Sequence, residues 1–141
     1  MLKNLKLLII GGAGAIGSNL SRSLSNYNEV IVIDNLSSGH LSNLHDIPIT
    51  KFIQKDILDD KALNEGFNYK PDIVFHLAAN FANQNSVDNP QKDLNTNGLG
   101  TLKVLEKMVE YNIKKIIYAS SSCVYGQTST QMIEGSYGNL E

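Results

Sequence analysis

Apolar and polar residues alternate along this chain in two rhythms. Predominantly apolar runs of strand length stand at Lys6–Ile10, Val30–Ile33 and Ile73–Leu77, each followed by glycine, a polar residue or small residues. Phe52-Ile53-Gln54 and Lys115–Tyr118 carry the same signal over a shorter span. Between the runs the period lengthens. Ile16, Leu20 and Leu24 recur at helical spacing and predict a helix over Ala15–Ser25 with those residues on its buried face. Asp59–Phe67 reads as a short helix closed by Gly66, and Pro71 punctuates the entry to the next strand. Leu102, Leu105, Met108 and Val109 form the apolar stripe of a long helix over about Gln91–Tyr111, and that stripe is expected to be core. Asn35–Asp46 has no clear period, Asn80–Pro90 is rich in turn residues, and the chain beyond Ser120 offers no convincing element.

Strands alternating with helices predict a parallel sheet covered on both faces. Right-handed crossovers then order the strands 3-2-1-4-5, a Rossmann-type doubly wound α/β fold in three layers. The order reverses between strands one and four, so a ligand crevice is expected at their carboxyl ends. The expected organisation is a cofactor-binding domain over 1–126 and an irregular or truncated tail over 127–141.

Composition narrows the field. The chain has 141 residues, enough for one domain with a real core and short for a two-domain enzyme. A net charge of −2 gives no reason to expect a nucleic-acid partner or an anionic membrane surface. Lys3 and Lys6 before apolar residues imitate a signal peptide, but the run breaks into glycines at Gly11, and nothing reaches membrane-spanning length. The single cysteine, Cys123, has no partner for a disulfide and no companions for a metal cluster. That suits a reducing cytoplasm, and no metal is expected.

The stretch Leu7–Leu20 carries the densest chemistry. A strand meets glycines spaced Gly-x-x-Gly-x-x-Gly at Gly11, Gly14 and Gly17, and a helical pattern follows. Gly11 would allow a sharp turn at positive φ. Gly14 would let backbone amides approach a pyrophosphate at the positive end of the helix. Gly17 would let that helix pack tightly on the strand. A glycine triplet alone matches many loops. Here an acid, Asp34, ends the second strand, where a carboxylate can accept both hydroxyls of an adenosine ribose.

Further pieces follow in order: Asp34-Asn35-Leu36, Asp56-Ile57, His76-Leu77-Ala78-Ala79, Asn97 with Gly100-Thr101, and Ser120-Ser121-Ser122-Cys123-Val124-Tyr125-Gly126. Together they resemble the extended short-chain dehydrogenase/reductase family, most closely its nucleotide-sugar epimerases, over about residues 6 to 126. The resemblance implies NAD as cofactor, favoured over NADP because Asp34 repels a 2′-phosphate and no arginine follows it. It assigns Gly11, Gly14, Ala15, Ile16, Gly17, Asp34, Asn35, Ser38, Gly39, Leu77, Ala78, Ala79, Asn97 and Ser120 to the cofactor. Asp56 and Ile57 resemble the pair that contacts adenine, although an aspartate after a strand is also ordinary loop chemistry. Asn97 would face the crevice and brace the loop after strand five, or else be a solvated helix position. His76, inside an apolar strand, reads as a core histidine rather than a catalyst.

Ser121 matches the family's catalytic hydroxyl, hydrogen-bonded to the sugar hydroxyl that loses its proton as hydride leaves. Ser86 and Ser122 are assigned to the substrate. The family's base is the tyrosine of Tyr-x-x-x-Lys, and Tyr137 is the tyrosine available for that role. Glu141 stands where the lysine belongs, and a carboxylate there raises a tyrosine pKa instead of lowering it. The chain alone is therefore expected to be inactive. The implied activity is epimerisation of a nucleotide sugar, at carbon 4 of a UDP-sugar, with a homodimer as the assembly the family admits. Two alternatives stay open: a nucleotide-sugar 4,6-dehydratase, weakened because Ser122-Cys123 stand where an Asp-Glu pair is expected, and a dinucleotide-binding module without catalysis.

Overall fold

Five parallel strands form one sheet in the order β3-β2-β1-β4-β5 in the computed structural model, which describes residues 2–81 and 83–125. The strands are β1 (Lys6–Ile10), β2 (Glu29–Asp34), β3 (Lys51–Gln54), β4 (Ile73–His76) and β5 (Ile116–Tyr118). The helices are α1 (Ala15–Leu24), α2 (Asp60–Phe67), α3 (Asn83–Asp88), α4 (Pro90–Asp93) and α5 (Thr101–Glu110). Tyr137 and the tail over 127–141 lie outside the described residues, as does the side chain of Ser122.

Strand periodicity divides the core in two. Leu8, Ile10, Ile31, Ile33 and Val74 point to one face, where they meet Leu63 and Phe67 of α2 and Val104 and Met108 of α5. Leu7, Ile9, Val30, Val32 and Phe75 point to the other, against Leu20 and Leu24 of α1 and Leu44 and Ile47 of the following loop. These are the three layers expected from the strand–helix alternation. Among the described residues no helix is long and apolar enough to cross a membrane.

Several helices differ from expectation. Ile16 is 70% exposed, because α1 lays the small residues Gly17, Ser18 and Ser21 on the sheet. Gly66 does not close α2; it lies inside the last turn, where a Cβ would stand 2.8 Å from Ile33 Cδ1. The cap at the other end is Asp59, whose side chain accepts the amides of Lys61 and Ala62. The turn-rich stretch contains α3, and Leu41–Leu44 and Ser122–Tyr125 each form one 3₁₀ turn.

The largest departure is in the long helix. Between α4 and α5, Leu94–Gly100 winds as a π-helix. Its sequence, Leu-Asn-Thr-Asn-Gly-Leu-Gly, is poor in α-helix formers, so the wider winding has little to compete against. The α5 stripe divides as well. Met108 and Val104 are buried, whereas Leu102, Leu105 and Val109 are exposed on the opposite side. A spacing of three and four cannot tell which of two apolar faces meets the sheet.

Candidate functional site

At the carboxyl ends of the strands a crevice of about 470 Å³ runs across the point where strand order reverses. Asp34 and Asn35 after β2 and Asp56 and Ile57 after β3 line one end. Leu77, Ala78 and Ala79 after β4, with Ala119 after β5, line the other. The glycine turn after β1 lies between them.

That turn starts at Gly11, with φ +85°, where a Cβ would lie 2.6 Å from the Ala78 amide nitrogen. Both the dihedral and the crowding require glycine. Gly17 is closed in differently: a Cβ would stand 2.6 Å from Gly12 Cα, so α1 leaves the sheet in backbone contact with the turn. Gly14 is the contrast. It is the N-cap of α1, its φ is an ordinary −73°, and a Cβ would meet only Gly11 O, at 3.4 Å. The fold does not require glycine there, and its bare face opens into the crevice with Ala15, Ile16 and Gly17.

The amino end of α1 has no side-chain cap and no acid in its first turn. The first turn closes at Ser18, whose amide donates to Gly14 O at 3.0 Å. The preceding amides and the helix dipole therefore point a positive potential into the crevice. This end is built to receive an anion.

Asp34 is 8% exposed, and backbone donors hold both of its oxygens. Oδ2 accepts from Ala13 N at 2.8 Å and Oδ1 from Leu36 N at 2.8 Å. The second bond fixes Leu36 in the left-handed region, at φ 60°, a conformation unusual for leucine. Each oxygen keeps a further lone pair for a ligand hydroxyl. Asn35 Nδ2 donates to Asp56 Oδ2 at 2.6 Å, joining the loops after β2 and β3 across one end of the crevice. Asp56 Oδ1 accepts from Leu58 N at 2.9 Å, and Ile57 belongs both to the core and to the crevice wall.

Ser38 lines the crevice, whereas Gly39 does not. Gly39 backs the glycine turn from behind, where a Cβ would be 2.7 Å from the Ala13 carbonyl carbon. Asn97 also lies off the crevice wall and braces a different loop from the one expected. Its Oδ1 accepts from Asn80 N at 2.8 Å and its Nδ2 donates to Asn80 O at 3.0 Å and to Asp93 Oδ1 at 2.9 Å. The chain leaving β4 is thereby clamped to the π-helix. Ser120 and Ser121 are exposed and follow Ala119 outside the crevice lining, and Ser121 Oγ accepts from Cys123 N at 3.2 Å. Ser86 is half-buried on α3, away from the lining.

Ile33, Ser37, Phe81, Thr96 and Ala119 also line the crevice and had not been singled out. Ile33 and Ala119 stand where the sequence could have pointed to them, Ile33 one residue before the end of β2 and Ala119 directly after β5, each beside a residue already assigned. Thr96 depends on the π winding, and Phe81, 66% exposed, carries no sequence signal that separates it from a loop aromatic. Among the described residues no group of three His, Cys, Asp or Glu side chains is placed to hold a metal ion.

Comparison with known proteins gives a consistent family. The model of the NAD dependent epimerase/dehydratase family matches residues 7–139. A UDP-glucose 4-epimerase of Halalkalibacterium halodurans is 40% identical over 123 residues, covering 86% of this chain and 36% of that protein. The structure of an epimerase from Methanothermobacter thermautotrophicus superposes with a TM-score of 0.87 at 44% identity, over 97% of this chain and 42% of the other. A Thermus thermophilus UDP-glucose 4-epimerase in complex with NAD gives 0.85 at 31% identity, over 95% of this chain and 44% of the other. The chain thus spans about two fifths of the length of the relatives it matches.

Proposed function

The chain belongs to the NAD-dependent epimerase/dehydratase family, and from that premise we propose that it is the cofactor-binding part of a nucleotide-sugar epimerase acting at carbon 4 of a UDP-sugar. The observation that carries the cofactor half is Gly14, a glycine the fold does not need, opening an uncapped helix end beside the buried carboxylate of Asp34. These residues fit a dinucleotide. The amides at the start of α1 donate to its pyrophosphate, and Asp34 accepts from the adenosine ribose hydroxyls. The Asn35–Asp56 pair and Ile57 bound the adenine end, and Ala78 and Ala79 are small enough to let the far half pass close to the backbone. NAD, when bound, supplies hydride acceptance from the sugar carbon and hydride return to its other face.

Residues 1–126 form the cofactor domain in this reading. Ser121 holds the sugar hydroxyl through a hydrogen bond that tightens as the proton leaves, Tyr137 takes that proton, and Ser86 and Ser122 contact the sugar nucleotide. Epimerisation at carbon 4 is supported by the UDP-glucose 4-epimerases among the relatives. The partner is a second copy of the chain. Leu102, Leu105 and Val109 form an exposed stripe on the side of α5 opposite the core, and a helix apolar on two faces calls for burial on both. The single cysteine supports a cytoplasmic location.

The test grafts residues 1–126 of this chain in place of the matching segment of the Thermotoga maritima UDP-glucose 4-epimerase, to which the chain is 38% identical, so that the recipient supplies the family's tyrosine and lysine. NMR of a UDP-sugar mixture should show interconversion at carbon 4 by the chimera. Ser121→Ala in the chimera should slow turnover on the order of 10²-fold while NAD binding persists. A chimera that binds NAD but leaves UDP-sugars unchanged would overturn the epimerase reading.

A further inference from the structure

His76 is the one buried titratable side chain that the proposed chemistry leaves unused among the described residues. It is 1% exposed and ends β4 one residue before the crevice-lining Leu77. Its main chain ties three strands, pairing in register with Ile10 of β1 and Tyr118 of β5. The carbonyl accepts from Ala119 N at 3.1 Å, and the next amide, Leu77 N, donates to Ile10 O at 2.8 Å. Its ring reaches out of the sheet. Nε2 lies 2.9 Å from Thr101 Oγ1, at the junction of the π-helix and α5, and the ring packs at 5.5 Å against Tyr118. Nδ1 is buried with no hydrogen-bond partner.

That last fact selects the tautomer. A proton on Nδ1 would bury an N–H donor with nothing to receive it, whereas a bare Nδ1 lone pair is the lesser penalty. The proton therefore belongs on Nε2, which donates to Thr101 Oγ1. The helix carrying Thr101 also carries Thr96 on the crevice wall and Asn97 on the Asn80 backbone. Thr101 and Asn97 are four apart on the helix, and their partners His76 and Asn80 are four apart on the chain leaving β4. Two latches thus hold one strand end against one helix, and only His76 also touches β5.

We infer that His76 is a positioning residue for the β4–β5 end of the crevice: through Nε2–H to Thr101 and ring contact with Tyr118 it sets where Leu77–Ala79 and Ala119 stand relative to the π-helix. The opposite end, at Asp34 and Asp56, lies across the sheet and does not depend on it. The ligand part of the test rests on the NAD reading, with the adenosine of NAD at Asp34 and its nicotinamide half at the β4–β5 end.

The experiment uses the whole chain, with Thr101→Val, which is isosteric but cannot accept, and Thr101→Ser, which restores the hydroxyl. Long-range ¹H–¹⁵N spectra of the wild-type ring should show Nε2 protonated and Nδ1 bare. Thr101→Val should shift the amides of Leu77–Asn80 and Ala119–Ser121 and leave those of Asp34–Ser38 in place, and Thr101→Ser should return them. In titrations, Thr101→Val should leave ADP-ribose affinity unchanged and reduce the preference for NAD over ADP-ribose by about threefold to tenfold, the reach of one hydrogen bond of ordinary net worth. If the valine variant does not fold, His76→Gln, which keeps an amide donor at the ε position, should retain the NAD preference. A ring protonated on Nδ1, equal loss of both ligands, or no change in either amide shifts or NAD preference would overturn the inference. A wild-type chain that binds neither ligand would instead overturn the NAD reading, and the ring tautomer and amide shifts would still decide this one.

Discussion

Adding one methyl group at Gly17 and one at Gly14 should separate what the glycine turn does for the fold from what it does for a ligand. At Gly17 the new Cβ would stand 2.6 Å from Gly12 Cα and closer still to the Gly11 carbonyl oxygen. Both obstacles are backbone, pinned by the Gly11 N–Ile33 O bond of 2.8 Å, so no side chain can swing aside. Overpacking of this kind costs about 3 kcal/mol, the upper end of the usual range, because only movement of α1 relieves it. For a chain of this size each kcal/mol lowers Tm by about 3–4 °C, so Gly17→Ala should melt about 10 °C below wild type. At Gly14 the Cβ meets only Gly11 O at 3.4 Å, an ordinary contact, and φ −73° suits alanine. Exchanging glycine for alanine at an N-cap costs about 1 kcal/mol or less, so Gly14→Ala should stay within about 4 °C of wild type. The same methyl group projects toward the amides that hold a pyrophosphate and should weaken NAD at least about tenfold, or 1.4 kcal/mol. Calorimetric melts and NAD titrations of both variants are the assay. A Gly17→Ala protein that melts with the wild type, or a Gly14→Ala protein that binds NAD equally well, would refute the division.

Asp34→Asn should narrow the preference for NAD over NADP, read as the ratio of the two dissociation constants, because the charge that repels a 2′-phosphate is gone. Asp34→Ala should in addition destabilise the fold by about 2 kcal/mol in urea unfolding, since it leaves the Ala13 and Leu36 amides without their charged acceptor. Burial lowers the His76 pKa, so as the pH falls below about 6.5 the unfolded chain binds a proton that the folded chain refuses. Stability contributed at that site is complete above about pH 6.5 and falls on acidification by up to about 1.4 kcal/mol per pH unit, a slope that His76→Gln should remove from urea-derived stabilities. Leu105→Lys with Val109→Lys should convert a self-associating chain to monomer in sedimentation while far-UV circular dichroism stays that of the wild type, because both positions are exposed on the side of α5 away from the core.

Much of this architecture was legible because strands β1, β2 and β4 are short, have apolar centres and are separated by helix-length intervals. Topology follows from that alternation and from the handedness of crossovers, with no need for side-chain detail. The crevice lining was legible wherever a residue ends a strand, as with Asp34, Asp56 and Leu77–Ala79. What periodicity could not supply was orientation within a helix. Ile16 satisfied the spacing of a buried face, yet α1 meets the sheet through Gly17, Ser18 and Ser21 with Leu20 and Leu24 beside them, and Ile16 turns onto the crevice wall. Leu102, Leu105 and Val109 satisfied it on α5, yet the sheet meets the Gly100–Val104–Met108 side, where Gly100 packs on Ile57. The role of Asn97 was half legible: a polar residue bracing a loop was expected, but its partner is the chain after β4, because the π winding turns it that way.

The central claim is that this crevice holds NAD with its adenosine at Asp34 and its pyrophosphate at the start of α1. The most direct measurement is titration of ¹⁵N-labelled chain with NAD, with NADP as comparison. The account predicts saturable binding of NAD, weaker binding of NADP, and amide shifts concentrated at Gly14–Gly17, Asp34–Ser38, Asp56-Ile57 and Leu77–Ala79. Shifts scattered outside the crevice, or no saturable NAD binding by a folded chain, would contradict it.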